Sequence, residues 1–319
     1  MFNRRNRFTV FVNCGETRVF FGLGEFFSLL CAFLWAVAVI AYRKAGEGLD
    51  SYEINLFKIS LSFVAFLLTL LVWMAYSGDA HLPALSPSDL LLIILSGLLG
   101  TAMADLFYVR ALQLIGAGLT GLTGSLYSPM VVLLSMLWLG EFLLPLQWLG
   151  MVLVLIGVLI ISWRRALKNT LESHPPVRGF VYAAAGVFLT AVGIVIIKPV
   201  TTHVPFLWLM VLRMAGGILG IVGYGLWKRR RLSVRHVWRS PLRWWLFWGA
   251  FLGQYLSMMV WVAGYKYTNA SVASILNETA SVFILLLSWL MLGEKITRRK
   301  LLGMAVSLAG VALVLLAQA

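Results

Sequence analysis

Runs such as Val152 to Ser162 and Phe283 to Leu292 are apolar on every face and recur along the whole chain. Unbroken apolar runs of that kind leave few ways to fold, because inside a bilayer every backbone polar group must be satisfied by a helix or by a closed barrel. A spanning β-barrel would alternate polar and apolar residues over short segments. These runs do not alternate, so the spans are predicted to be helices. Composition agrees: of 319 residues 61% are hydrophobic and only 12% charged, with a mean hydropathy of +0.91, which no ordinary soluble domain carries.

Windowed hydropathy predicts an all-α membrane protein with ten transmembrane helices, each near the ~20 residues a bilayer requires. The spans fall at about 24–43, 52–76, 88–112, 117–139, 145–163, 178–199, 205–227, 242–266, 270–292 and 299–317. The clear interruptions are Ser77 to Pro87, the basic loop Arg164 to Arg178 around His174-Pro175-Pro176, and the very basic loop Lys228 to Arg243. Residues 1–23 form a tail with four arginines and an apolar patch, Phe8 to Val12, too brief for a secretory signal. The tail is either accessory or an artefact of a start that belongs near Leu23. Cys14 and Cys31 predict no disulfide framework. The net charge of +14 gathers in short loops between spans, so it reads as a topology signal and not as a nucleic-acid surface.

An internal repeat divides the chain into units at 24–168 and 176–319. Leu139-Gly140-Glu141 recurs as Leu292-Gly293-Glu294 at an offset of 153, and the same offset pairs Gly100 with Gly253, Ser128 with Ser281, Gly150 with Gly303 and Gly157 with Gly310. Upstream the offset is 155, where Phe33-Leu34 meets Phe188-Leu189, Arg43 meets Lys198 and Lys58 meets Arg213. Five spans per unit is an odd number, so the two halves are expected to insert in opposite orientations. Loops after spans one, five, seven and nine hold seventeen Lys and Arg residues and the other loops almost none. The positive-inside rule places those loops in the cytoplasm and both termini outside.

The stretch Ala270 to Glu294 carries Ser271, Ser274, Glu278, Ser281 and Ser288 at helical spacing, a polar stripe on a greasy rod. Five ionisable residues lie well within spans: Lys58, Asp105, Arg110, Arg213 and Glu278. Each costs about 2.5–3.5 kcal/mol at a helix centre unless it pairs or meets water. Lys58 and Asp105 each lie about seven residues, ~10 Å, from span ends on one face. Arg213 and Glu278 are similarly deep from the other. Two ionic sites follow, Lys58 with Asp105 and Arg213 with Glu278, the cations repeat-related and the acids not. Arg110 is close enough to a span end to snorkel, and any of the others can be a structural pair that fixes helix register.

Around these charges, Thr101, Asp105 and Tyr108 share a face of span three, Asn55, Lys58 and Ser62 one of span two, and Gln254, Met258, Trp261 and Tyr265 one of span eight. Tyr108, Gln254 and Trp261 are candidates to line a cavity, with Asn277 beside Glu278; small residues at this spacing otherwise serve packing, and Trp or Tyr anchors the interface. Asn277-Glu278-Thr279 also spells a glycosylation acceptor, which a site inside a span excludes. Pro129 interrupts a backbone hydrogen bond in span four. Glu141 and Glu294 end their helices at the interface, where bonding to backbone or loop cations is expected. No metal-ligand spacing or nucleotide-binding loop is present, and His81, His174, His203 and His236 all sit in or beside loops, so no enzyme, metal or cofactor is predicted.

These features resemble the EamA family of the drug/metabolite transporter superfamily. The likeness covers residues 24–317 and rests on Ser125-Leu126-Tyr127-Ser128-Pro129 through Leu139-Gly140-Glu141 with Gln147-Trp148-Leu149-Gly150, and on Thr279-Ala280-Ser281 through Leu292-Gly293-Glu294 with Gly303. Val282 stands where the family often has proline, and the tail has no counterpart in the pattern. The resemblance implies a secondary transporter of the cell (inner) membrane that moves a small metabolite or drug through a central cavity by alternating access, as a monomer or homodimer. Within that expectation Glu278, Arg213, Lys58, Asp105, Asn277, Gln254, Trp261 and Tyr108 serve substrate binding or gating, with a proton as the candidate coupling ion. Pro129, Gly140, Glu141, Gly293 and Glu294 are structural. The rivals are a flippase for a lipid-linked intermediate and a non-transporting scaffold or sensor, for which the basic loop after span seven would contact lipid or a partner.

Overall fold

Repeat-related irregularities in the helices organise this molecule. The structure is a computed structural model that describes residues 22–45, 49, 51–78, 83, 85–173, 177–230, 235–292 and 297–317. Its elements are α1 (Leu23–Ala45), α2 (Ser51–Ser77), α3 (Pro87–Gly97), a π-helical stretch Leu98–Met103, α4 (Ala104–Gly124), α5 (Tyr127–Trp138) and α6 (Pro145–Ser173). There follow α7 (Val177–Ile197), a 3-10 turn Lys198–Thr202, α8 (Phe206–Trp227), α9 (Arg235–Arg239) and α10 (Arg243–Gly249), then a second π-helical stretch, Ala250–Leu256. The chain ends in α11 (Ser257–Tyr267), α12 (Ala270–Asn277), α13 (Ala280–Leu292) and α14 (Arg298–Leu316). Local sequence sets several of these ends. Ser86 caps α3 by accepting a hydrogen bond from Asp89 N at 3.1 Å, with Pro87 as first residue, and Thr297 caps α14 through Lys300 N.

Among the described residues, eight helical segments are long and apolar enough to cross a membrane, and Tyr127–Trp138 and Pro145–Ile161 are shorter apolar helices. Several expected boundaries move. The fourth span was expected over 117–139 with a loop before it; the backbone instead stays helical through Ala104–Gly124 and breaks at Ser125–Leu126. The ninth, expected unbroken over 270–292, divides at Glu278–Thr279. Helix α6 continues to Ser173, so most of the expected basic loop is helix, and α9 interrupts the other basic loop. The tail through residue 21, His174 to Pro176, Gly293 and Glu294 lie outside the described residues, as do the side chains of Arg43 and Ser288.

The two breaks, at 125 and 278, stand 153 residues apart. The same offset carries the π-helical residues 98–103 onto 251–256, inside the second π-helical stretch. Contacts repeat as well. Gly100 packs on Gly193, and their counterparts Gly253 and Ala38 pack on each other. Gly150 meets Gly310 while Gly157 meets Gly303, so the repeat-related helices α6 and α14 run antiparallel with backbones in contact. A Cβ on Gly157 would stand 2.6 Å from Gly303 O, which is why the seam requires glycine there.

Pro129 accounts for the first break, because it has no N–H to return to Ser125 O. Val282 holds the equivalent place in the second, yet the helix breaks there too. In that half Glu278 N, Thr279 N, Ser281 N and Val282 N all bond back three residues instead of four, and the Thr279 hydroxyl donates to Leu276 O at 2.7 Å. Side-chain competition for the backbone takes over from proline.

Candidate functional site

The π-helical stretches and the two helix breaks converge on one cavity of about 300 Å³. A π-helical turn shifts the register of everything after it by one residue, which aims Asp105, at the head of α4, and Gln254, within the second stretch, at the same space. Of the eight predicted binding or gating residues, the cavity wall contains Asp105, Tyr108, Gln254, Trp261, Asn277 and Glu278. Lys58 and Arg213 stand behind it.

Lys58 Nζ lies 2.6 Å from Asp105 Oδ2, in a setting where the lysine side chain is only 7% exposed and the aspartate 23%. The ammonium also sits 5.6 Å from the centre of the Tyr42 ring. Two depths measured from span ends on one face thus meet in an ion pair.

The second expected pair is not present. Arg213 is fully buried, and its Nε and both Nη atoms have no hydrogen-bond partner. Its guanidinium carbon lies 5.0 Å from the centre of the Trp261 ring, and Gly100, which lines the cavity, leaves it room: a Cβ there would approach Nη2 to 3.4 Å. Glu278 instead sits on the break, where its Oε1 accepts from Ser128 N at 3.3 Å. Ser128 is in the first turn of α5, so the break frees its N–H and the positive end of that helix faces the carboxylate. Matched depth was insufficient to predict a pair because the turn at Glu278–Thr279 re-aims the side chain towards α5.

Polar contacts close one end of the cavity, and all but one of them cross between repeats. Tyr127 and Tyr265 share a hydrogen bond of 2.5 Å. Beyond them Glu141 Oε1 pairs with Lys198 Nζ at 2.6 Å, and its Oε2 accepts from Ala270 N at 2.8 Å, capping α12. Lys198 Nζ also donates to Thr268 O, and the Thr268 hydroxyl to Glu25 Oε1 at 2.6 Å. Gly140 makes this possible: its φ of 65° ends α5 and turns Glu141 towards Lys198. The polar stripe of α12 is otherwise spent on packing, with Ser274 bonded to Ser271 O and facing Ser128, while Ser281 lines the cavity.

Cys31, Trp35 and Tyr127 line the cavity without having been singled out as site residues. Trp35 lies twelve residues past the start of α1. A tryptophan at mid-span is not at an interface, and that depth was the signal available for it.

A solved structure described only as a crystal structure of a protein shares this fold at a TM-score of 0.71, with 18% identity over 91% of this chain and 97% of its own. No curated protein matches the chain. The family model for EamA-like transporters matches twice, over residues 22–163 and 177–316, the two units that the repeat delimits. Two such matches cover nearly all the helices described above, and the chain is a multi-pass membrane protein that belongs to the EamA-like transporter family.

Proposed function

We propose that the protein is a secondary active transporter for a small solute, working by alternating access around this cavity. The observation that carries the reading is the placement of the cavity: it lies between two helix breaks and two π-helical stretches that are equivalent under the repeat, and cross-repeat contacts close one end of it. Irregular backbone at membrane depth is tolerated where it lines a cavity, and broken helices at a repeat interface are where transporters of this kind bind their cargo. In this reading the chain crosses the inner membrane ten times, α5 and the apolar part of α6 supplying the fourth and fifth crossings, as two inverted five-helix halves. Parting the Glu141, Lys198, Thr268 and Glu25 contacts opens the closed end, and closing the opposite end completes the cycle.

Purified protein in liposomes, offered mixed metabolites with and without a pH gradient, is expected to accumulate a subset of them. Glu278→Gln keeps an acceptor for Ser128 N and removes the charge, so it is expected to cut that uptake at least about tenfold if the charge contributes a single charge-assisted contact. Uptake that Glu278→Gln leaves intact overturns the role given to Glu278, and no uptake of any solute by the wild type overturns the transporter. The distribution of Lys and Arg among the loops favours both termini outside the cytoplasm. A C-terminal reporter active only in the cytoplasm is then expected to stay dark, and activity would reverse the orientation.

A further inference from the structure

We propose that the basic surface where the end of α8, α9 and the start of α10 surround the first turn of α2 is a binding site for anionic phospholipid, with the headgroup phosphate as the group recognised. It lies at the far end of α8 from Lys198 and outside the cavity, and it would serve whether or not the chain transports. Lys228, Arg229, Arg239 and Arg243 are exposed there, and none of them takes part in a described ion pair. Glu53, the acid in the first turn of α2, faces His236 at 3.1 Å. The surface is built and not a loose tether. In α9, Val237 is buried in one cluster with Phe57 and Leu246, and the Trp238 ring meets Phe57 edge-on at 5.5 Å. The end of α8 joins the same turn of α2 through Tyr52 and Tyr224, whose ring centres are 6.2 Å apart.

Depth decides in favour of a lipid. Trp227 and Trp244 are 73% and 57% exposed, and each adjoins a cation in sequence, Lys228 and Arg243. Exposed tryptophans at span ends sit at the headgroup level, so these cations are held at the depth of the phosphates. Lys228 Nζ lies 4.0 Å from the centre of the Trp227 ring, which keeps the ammonium at that level. Arg229 points the same way. It ends α8 in the left-handed conformation, with φ of 51°, its N–H donating to Leu226 O at 3.1 Å and the next N–H, of Arg230, to Gly225 O at 2.8 Å. Glycine usually holds that position because a Cβ is penalised there. A topological bias needs only cations somewhere in the loop; it does not account for an arginine in a place that favours glycine. A use for the side chain does, since the planar guanidinium matches a phosphate with two parallel hydrogen bonds.

Purified protein is equilibrated in mixed micelles with equal amounts of phosphatidylglycerol and phosphatidylcholine, and the lipids it retains are counted by native mass spectrometry. Phosphatidylglycerol is expected to be retained at least about tenfold over phosphatidylcholine, since each cation near the headgroups favours an anionic lipid about fivefold. The preference is expected to shrink as salt rises from about 0.05 to about 0.5 M. Combining Lys228→Gln, Arg229→Gln, Arg239→Gln and Arg243→Gln is expected to abolish it. Arg229→Gly relieves the backbone and removes one cation, so it is expected to melt no lower than the wild type while losing about fivefold of the preference. A purely structural arginine would not divide the two readouts in that way. Glycerol phosphate at the same concentration is expected not to compete, because it has no acyl chains to lie against Trp227 and Trp244. Equal retention of the two lipids, a preference that survives the fourfold substitution, or an Arg229→Gly protein that retains lipid as the wild type does overturns the proposal. So does displacement of the lipid by glycerol phosphate or by soluble polyglutamate, which would make the surface a site for a free anion or an acidic protein.

Discussion

Asp105→Ala is expected to destabilise the folded protein by about 3–5 kcal/mol, because it strands the Lys58 ammonium in the protein interior without its counter-charge. The two side chains are 7% and 23% exposed and 2.6 Å apart, so little water is available to replace the carboxylate. The companion double variant, Lys58→Met with Asp105→Leu, removes both charges at similar volume, and replacement of that kind is neutral or stabilising by about 1–4 kcal/mol. Unfolding midpoints in detergent and the yield of monodisperse protein read both changes. A single variant as stable as the wild type would show that Lys58 is supported by water and not by Asp105.

Function is expected to part company with stability at this pair. Asp105 lines the cavity while Lys58 does not, so the double variant is expected to fold and to transport poorly. If the double variant transports normally, the pair is a register device for α2 and α4 and contributes nothing to the site.

The architecture was legible because it is written in residue types that have few alternative uses. Apolar runs fix spanning helices, and the offsets of 153 and 155 found in Gly, Glu and basic matches reappear as the contacts of Gly100, Gly150 and Gly157. Lys58 and Asp105 were legible for a related reason: both are carried on elements near span ends whose depth can be counted. What could not be counted was local departure from an ideal helix. No hydropathy window sees that residues 98–103 and 250–256 are π-helical, or that the backbone turns at Glu278. Each departure rotates the residues after it, and a rotation is what decides whether Glu278 meets Arg213 or the start of α5. Pro129 marked one break. The other rests on Thr279 and a series of shortened hydrogen bonds, with valine at the proline position, and such a break leaves little trace in a single sequence. The cavity aromatics were hidden by a different ambiguity, since Trp35 and Tyr127 have the composition of packing or anchoring residues until depth is taken into account.

Arg213→Met is expected to raise stability and abolish transport together. In this structure the guanidinium is fully buried and makes no hydrogen bond to a described residue through any of its three nitrogens; the face of Trp261 and the charge of Asp105 offset its burial only in part. A cation–π contact is worth about 2 kcal/mol when desolvated, whereas the effective penalty for burying an ion is several kcal/mol. Methionine keeps an unbranched apolar stem without the charge, so a gain on the order of 1–4 kcal/mol is expected in the unfolding midpoint. A charge that weakens the state in which it is seen is explained if another state uses it. Asp105, whose charge already acts on the guanidinium, and Glu278, bonded here to Ser128 N, are the carboxylates on the cavity wall beside it, and a movement of Trp261 would remove the ring that now covers it. Arg213→Lys keeps the charge but loses the planar fork and the stack on Trp261, so it is expected to recover part of the transport and none of the stability. Two results count against this account. An Arg213→Met protein that is less stable than the wild type would mean that the guanidinium is satisfied where it stands. One that is more stable and still transports would mean that no state of the cycle needs it.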